Sequence, residues 1–232
     1  MQNNAIKSQH EIEIILRAVE VVDNTFDELL NFFKEGVTEI EVAEQISKIM
    51  KSFGASDLAF DTIVAFGENG AEPHHVPTCR KLRAGDFVTI DMGAKVSGYC
   101  SDFTRTFAFR RAEGELKRIY DVVRYAKILA ERELKEGADA RYIDTVARDY
   151  IIENGYGEFY IHGTGHGVGT LIHEEPTLNQ KSVKKLENNM VVTVEPGIYI
   201  NGIGGVRIED MIVINDDSPI ILTGAKKDMI IL

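Results

Sequence analysis

The chain repeats itself, and the repeat restricts its fold more than any single motif does. The stretches GVTEIEVAEQISKIMKSFG (Gly36–Gly54) and GADARYIDTVARDYIIENG (Gly137–Gly155) begin and end in glycine at the same spacing, 101 positions apart. Thr38 and Asp139 stand two residues in, where a side-chain oxygen can accept from the free amides of a new helix. Val42 matches Ile143, Ile46 matches Ala147 and Ile49 matches Tyr150, so both stretches read as helices between a cap and a terminal glycine. Each is preceded by another amphipathic stretch. Ile12, Ile15, Leu16, Val19, Val22, Phe26, Leu29, Leu30 and Phe33 follow a helical period in the first half. Leu116, Ile119, Val122, Val123, Ala126, Leu129 and Ala130 do so in the second. Downstream, HHVPT (His74–Thr78) answers HEEPT (His173–Thr177) after 99 positions. GDFVTIDMG (Gly85–Gly93) answers NMVVTVEPG (Asn189–Gly197) after 104, which brings Asp91 onto Glu195. Four matches in one order predict a duplicated α-α-β-β unit.

The strands follow from composition and turns. Phe87–Asp91 and Val191–Glu195 are β-branched apolar runs that end in a carboxylate, and Gly98–Phe109 and Val206–Ile214 follow turn signals at Gly98 and Asn201-Gly202. The expectation is an α+β fold with two antiparallel hairpins, related by pseudo-two-fold symmetry, inside a shell of four helices. No Pro- or Ser-rich linker divides the halves, so residues 1–232 are expected to form one domain. A chain that is 44% hydrophobic and 27% charged is an ordinary soluble one. Apolar runs such as Met190–Val192 and Ile220–Leu222 are too short to cross a bilayer, so no membrane association is expected. Asn3, Lys7, His10 and Glu11 interrupt any signal-like core after Met1. Cys79 and Cys100 sit in unrelated contexts, which disfavours a disulfide framework and favours a reducing, cytoplasmic location. A net charge of -11 argues against nucleic acid as a partner.

The repeat places Asp91 and Glu195 at strand ends, and each following strand adds another acid, Asp102 in YCSDFTRTF and Glu209 in GGVRIEDMIVI. One strand-end Asp is ordinarily a turn cap. Four carboxylates converging on one interior cannot all stay ionised without counter-charge. No buried lysine cluster is legible to offer one, whereas a pair of divalent cations offers it directly. A fifth candidate, His166, lies among glycines in HGTGHGVG (His162–Gly169), which let the backbone pass close to a crowded centre. One imidazole added to four carboxylates suits Mn, Co, Fe or Zn better than Ca.

The ordered set Asp91, Asp102, His166, Glu195 and Glu209 resembles the five-ligand signature shared by methionine aminopeptidases, prolidases and Xaa-Pro aminopeptidases, which have the pita-bread fold. The words GYCSDFTRTF, HGTGHGVG…HEEP, VEPGIYI and GGVRIED are similar to the Xaa-Pro branch, and the resemblance runs from about Lys7 to Leu232. It implies a hydrolase that cleaves the N-terminal Xaa-Pro bond of di- or oligopeptides through a hydroxide bridging two divalent metals, Mn or Co first, with Fe or Zn as further options. Asp91 would bind one metal through both oxygens, Asp102 and Glu209 would bridge the two, and His166 and Glu195 would complete the second. Glu195 would also act as general base and relay a proton to the leaving amine. His173 would steady the tetrahedral intermediate, His74 would act on the substrate side, and His162 would line the pocket near the proline. His75, adjacent to His74, is an alternative to it. Arg207 would pair with a ligand carboxylate. Arg105 has a similar opportunity, or else a surface salt bridge.

Full-length members of that branch carry an N-terminal domain that helps build the substrate pocket and the dimer. This chain begins almost at the first catalytic-domain helix, so substrate length, a homodimeric state and whether Met1 is the natural start are left open. Methionine aminopeptidase is the nearest rival. TRT after Asp102, GIY after Pro196 and GGVRIED stand against it. A non-catalytic pita-bread module that binds peptides or partners is the rival from another class, as is a metal-free creatine hydrolase; retention of all five ligands stands against both.

Overall fold

The computed structural model describes residues 5–216 and 218–232, so Met1 and Asn3 of the signal-peptide argument lie outside the described residues. Helix α1 (Gln9–Leu29) starts at Ser8, whose hydroxyl accepts from the Glu11 amide while Glu11 reaches back to the Ser8 amide. Helix α2 (Glu39–Ser52) starts in the same way, with Thr38 and Glu41. Helix α3 (Gly114–Arg132) precedes α4 (Ala140–Glu153), which is capped by the Asp139 carboxylate on the Arg141 amide. Ile15, Val19, Val22, Phe26 and Leu29 form the buried stripe of α1, whereas Leu16, expected on that stripe, is 36% exposed and Phe33 lies beyond the helix. No described helix is long and apolar enough to cross a membrane.

The duplication is visible bond by bond. Gly36 N donates to Leu82 O (2.9 Å) and Leu82 N to Val37 O (2.8 Å); Gly137 N donates to Leu186 O and Leu186 N to Ala138 O, both at 2.8 Å. Thr38 bridges Lys81 and Asp139 bridges Lys185. The helices end alike. Gly54 and Gly155 take left-handed φ values of +98° and +86°, and Ala55 and Tyr156 bond back to Met50 and Ile151.

The first half holds β1 (Asp57–Leu58), β2 (Ile63–Phe66), β3 (Phe87–Asp91), β4 (Ala94–Val96), β5 (Tyr99–Cys100) and β6 (Thr104–Ala108). Antiparallel β2-β3-β6 is the main sheet, and β1-β4-β5 is a small one beside it. The second half holds β7 (Gly165–Gly167), β8 (Glu174–Leu178), β9 (Val191–Val194), β10 (Gly197–Ile200), β11 (Gly204–Arg207), β12 (Asp210–Val213) and β13 (Ile220–Ile221). These form an antiparallel β13-β12-β9-β7-β8 sheet and a β10-β11 hairpin turned at Asn201-Gly202. One apolar cluster fills the space under α1 and α2, and another lies under α3 and α4. The architecture is thus α+β, with antiparallel sheets covered by paired helices.

Two expectations need correction. The segments Gly98–Phe109 and Val206–Ile214 are not single strands: each breaks, at 101–103 and at 208–209, where Asp102 and Glu209 sit. Their backbones leave the ladder to meet across the halves. Glu209 N donates to Thr104 O (3.1 Å), and the Thr106 hydroxyl donates to Arg207 O (2.9 Å). Nor are the second pair of acids equivalent by the repeat. Asp91 pairs with Thr104, and Val194 with Asp210, so the place of Glu209 is taken in the first half by Thr104, not Asp102.

Each half hangs its cavity loop on one buried carboxylate of its second helix. Glu39, fully buried, accepts from Phe66 N (2.8 Å), Asn69 Nδ2 (2.9 Å), His75 Nε2 (2.9 Å), Thr78 N (2.9 Å) and Thr78 Oγ1 (2.7 Å). Asp144 accepts from Thr164 N (3.0 Å) and Oγ1 (2.9 Å) and from Arg148. Burial pushes the Glu39 carboxyl up, but the bonds from His75, Thr78, Phe66 and Asn69 outweigh it and hold the group below the usual carboxylate range. A depressed folded pKa contributes stability above the unfolded value of about 4.3 and loses it as pH falls through the folded value. Glu39→Ala should therefore lower the unfolding free energy by about 3 kcal/mol at neutral pH, with the deficit shrinking below about pH 4. Urea titrations at stepped pH check this; a deficit that stays constant with pH would show that the charge of Glu39 is irrelevant.

Candidate metal centre

The five residues singled out in the sequence line one cavity of about 840 Å³, together with His74, His162, His173 and Arg207. Asp91 ends β3, Glu195 follows β9, and Asp102 and Glu209 occupy the two strand breaks. His166 stands in the middle of β7. A Cβ on Gly165 would lie 2.0 Å from Thr193 O, and one on Gly167 would lie 2.4 Å from Glu175 O, so only glycine lets this strand press the imidazole into the seam.

Asp102, His166 and Glu209 offer donor atoms that all lie within 4.8 Å of one another. His166 Nε2 is 3.5 Å from Asp102 Oδ2 and 3.2 Å from Glu195 Oε1. His166 Nδ1 lies 3.0 Å from Gly167 O, a bond that places the proton on Nδ1 and turns Nε2 toward the carboxylates, as a metal ligand requires. Thr193 Oγ1 accepts from His166 N (3.0 Å) and donates to Glu195 Oε1 (3.1 Å). Thr104 Oγ1 accepts from Arg207 Nε (3.2 Å) and donates to Glu209 Oε2 (2.7 Å). Arg207 Nη2 holds Asp91 Oδ2 at 2.6 Å, the pairing expected of it.

Two oxygens in this arrangement are buried without a partner among the described residues, Asp91 Oδ1 and Glu209 Oε1. Burial and the neighbouring carboxylates push Asp102 and Glu209 well above the usual range, and burial raises Asp91 against the pull of Arg207. His166 and Glu195 form an ion pair. Burial works against both ions, yet their contact holds the imidazole at about 9 and the carboxyl at about 2. Crowded carboxylates with orphaned oxygens, and an imidazole nitrogen turned toward them that a cation could take in place of its proton, fit divalent cations of the Mn, Co, Fe or Zn type.

The histidines divide by environment. His173 is exposed to the cavity and packs edge-on against His166, ring centroids 4.4 Å apart. His74 is exposed on the cavity wall. His75 is buried between Glu39 (2.9 Å) and Glu72 (3.1 Å), which makes it a loop anchor, although it too touches the cavity. His162 Nδ1 bonds Gly163 O (2.7 Å), and its Nε2 bonds the Tyr199 hydroxyl (2.8 Å), which in turn accepts from Arg207 Nη1 (2.8 Å). Burial lowers His162 and lifts Tyr199 to about 12, so both stay neutral at pH 7.

Tyr199, Thr104 and Thr193 escaped the sequence reading. Tyr199 lies within the GIYI word, and its position in a short strand two residues beyond Gly197 was the available signal. Arg105 is a correction. It is 2% exposed, pairs with Asp210 (2.7 Å) and donates to the carbonyls of Thr104, Glu209, Ala225 and Lys226, so it is neither a surface salt bridge nor the partner of a ligand carboxylate. Lys127 is buried on α3 but does not serve the cavity. Its charge is matched by Glu131 (2.6 Å) and Asp210 and leaves the cavity carboxylates uncompensated.

The sequence pattern of metallopeptidase family M24 matches residues 13–216. The chain is 45% identical over 227 residues to the "Uncharacterized peptidase YqhT" of Bacillus subtilis, covering 98% of this chain and 64% of that protein. Among solved structures, the Xaa-Pro dipeptidase from Bacillus anthracis superposes with a TM-score of 0.97 at 45% identity, over 99% of this chain and 64% of that one. The X-Pro aminopeptidase from Thermotoga maritima gives 0.97 at 37% identity, over 100% and 66%. The chain thus spans about two thirds of the length of these relatives, and with a family pattern running across nearly all of it and the five candidate ligands in one cavity, it belongs to metallopeptidase family M24.

Proposed function

We propose that this chain hydrolyses the N-terminal Xaa-Pro bond of short peptides at a centre of two divalent cations, Mn or Co before Fe or Zn. The observation that carries the reading is the convergence of Asp91, Asp102, His166, Glu195 and Glu209 on one cavity, with two of their oxygens unsatisfied. When bound, the cations supply the Lewis acid that polarises the scissile carbonyl and acidifies the attacking water. Asp91 would hold one cation, His166 and Glu195 the other, and Asp102 and Glu209 would serve both. Glu195 takes the proton of the attacking water and delivers it to the departing nitrogen. An Xaa-Pro amide carries no hydrogen on that nitrogen, so the leaving amine needs a proton as the bond breaks. His173 donates to the developing oxyanion, a hydrogen bond that strengthens as charge grows.

Specificity follows from the walls. Pro73, Pro77, Ile63, Val76 and Ile161 give the cavity an apolar lining suited to a proline ring, with His74 and His162 beside it. Likeness to proteins described as an Xaa-Pro dipeptidase and an X-Pro aminopeptidase supports the same choice. A reducing, cytoplasmic location suits two unpaired cysteines, and a homodimer belongs to the same reading.

Chelation should abolish peptide cleavage, and Mn or Co should restore it better than Mg or Ca; full turnover in metal-free protein would refute the mechanism. At 100 times the dissociation constant a bound cation stabilises the fold by about 2.7 kcal/mol. Asp102→Ala and Glu209→Ala should lose that metal-dependent stabilisation in calorimetry. His173→Ala should keep it and lose about 100-fold in kcat, and a metal-poor His173 variant would overturn its assignment. On Ala-Pro, Ala-Pro-Ala, Met-Ala-Ser and Ala-Ala-Ala, kcat/KM should favour the two proline peptides with little discrimination by length. Preference for Met-Ala-Ser would point to the methionine branch, and failure to cleave any of them in metal-loaded protein would point to a binding role.

A further inference from the structure

Lys7 and Glu174 form a buried ion pair that the reaction outlined above does not use. Lys7, just ahead of α1, is 3% exposed and Glu174 is 7% exposed; Lys7 Nζ lies 2.9 Å from Glu174 Oε2. Neither lines the cavity. The other carboxylate oxygen, Oε1, accepts from Leu171 N (3.1 Å) and Thr170 Oγ1 (3.4 Å). A Cβ on Gly169 would stand 2.5 Å from the same carboxylate, so the turn over 169–172 is wrapped directly on it. From its outer side that turn accepts Cys100 N on Gly169 O (2.8 Å). It delivers Ile172 and His173 to the cavity wall. Among the described residues no hydrogen bond holds the His173 imidazole, so its place depends on its backbone and on the edge-on contact with His166.

We propose that the Lys7–Glu174 pair is a positioning device for His173, a reading that rests on the role given to His173 above. A carboxylate is the group that can accept from Leu171 N and Thr170 together while filling the space that Gly169 leaves open. Buried so deeply, it needs a cation beside it. Lys7 supplies that charge from the segment ahead of α1, which is itself pinned by Lys7 N on Asn189 O (2.9 Å) and by the Ile6–Met190 bridge. The first residues of the described chain thereby fix the direction of an imidazole in the cavity. Displacement of a catalytic group by about 1 Å costs about 100-fold in rate.

The test compares Glu174→Gln, Gly169→Ala and Lys7→Met, each alone and combined with His173→Ala, in metal-loaded protein acting on Ala-Pro-Ala. Each single variant is expected to lower kcat about 10- to 100-fold, with KM and metal content little changed. Each should have no further effect once His173 is alanine, because residues acting through one group are non-additive. Lys7→Arg should recover most of the kcat lost in Lys7→Met. The imidazole NMR signals of His173, assigned by their loss in His173→Ala and recorded with and without added zinc, should shift in Glu174→Gln even if the protein cleaves nothing. Additive losses in kcat, or His173 signals that stay in place, would overturn the proposal. A fully active His173→Ala would instead refute the role of His173, leaving the ring signals to decide what the ion pair positions.

Discussion

Mutual repulsion among buried carboxylates is the constraint on which the rest of this structure depends. Two like charges 4 Å apart repel by about 4 kcal/mol at the effective dielectric of a protein, and this seam brings in Asp91, Asp102, Glu195 and Glu209 together. Arg207 offsets part of that charge from the Asp91 side and His166 part of it from the Glu195 side. The remainder is what drives Asp102 and Glu209 well above their ordinary range. A folded chain that keeps such a centre has to bind positive charge or take up protons, and the unsatisfied oxygens of Asp91 and Glu209 mark where the positive charge is wanted.

Holding four repelling groups in place requires stiff surroundings, and the duplication supplies them. Each half contributes a helix pair and an antiparallel sheet, and the halves meet through backbone rather than through side chains alone, as with Glu209 N on Thr104 O. Each half also ties its cavity loop to a buried carboxylate on its second helix, but at different helical positions. Glu39 stands in the first turn of α2 and Asp144 in the second turn of α4. The same scaffold thus presents His74 from one side and His162 and His166 from the other. Symmetry built the frame, and the breaks in symmetry built the site. Thr104 sits where the second half has Glu209, and its hydroxyl orients that carboxylate.

Much of this was legible in the chain because it is written in local patterns. Caps at Thr38 and Asp139, terminal Gly54 and Gly155, and the apolar stripes of α1 and α3 depend on residues a few positions apart, which a sequence displays directly. The four acids that line the cavity were legible because acids at the ends of apolar runs are costly and therefore conspicuous. Strand breaks at 101–103 and 208–209 were not, since an apolar run reads as one strand until something across the molecule competes for its amides. Arg105 was misjudged for the same reason: whether a cation lies at the surface or beneath it depends on partners such as Asp210 that are distant in sequence.

By itself, then, the sequence determined the helices, most of the antiparallel strands, their duplication and the five candidate metal ligands, because period, capping and charge are properties of neighbours along a chain. Tertiary structure alone decided which partners those residues have. It gave Arg207 to Asp91, Thr104 to Glu209 and Thr193 to Glu195, buried His75 as an anchor, and left His74 and His173 facing the cavity. Those assignments join residues as many as 116 positions apart, Asp91 to Arg207 among them. They exist only once the two halves close and exclude the water that would otherwise satisfy every one of these groups.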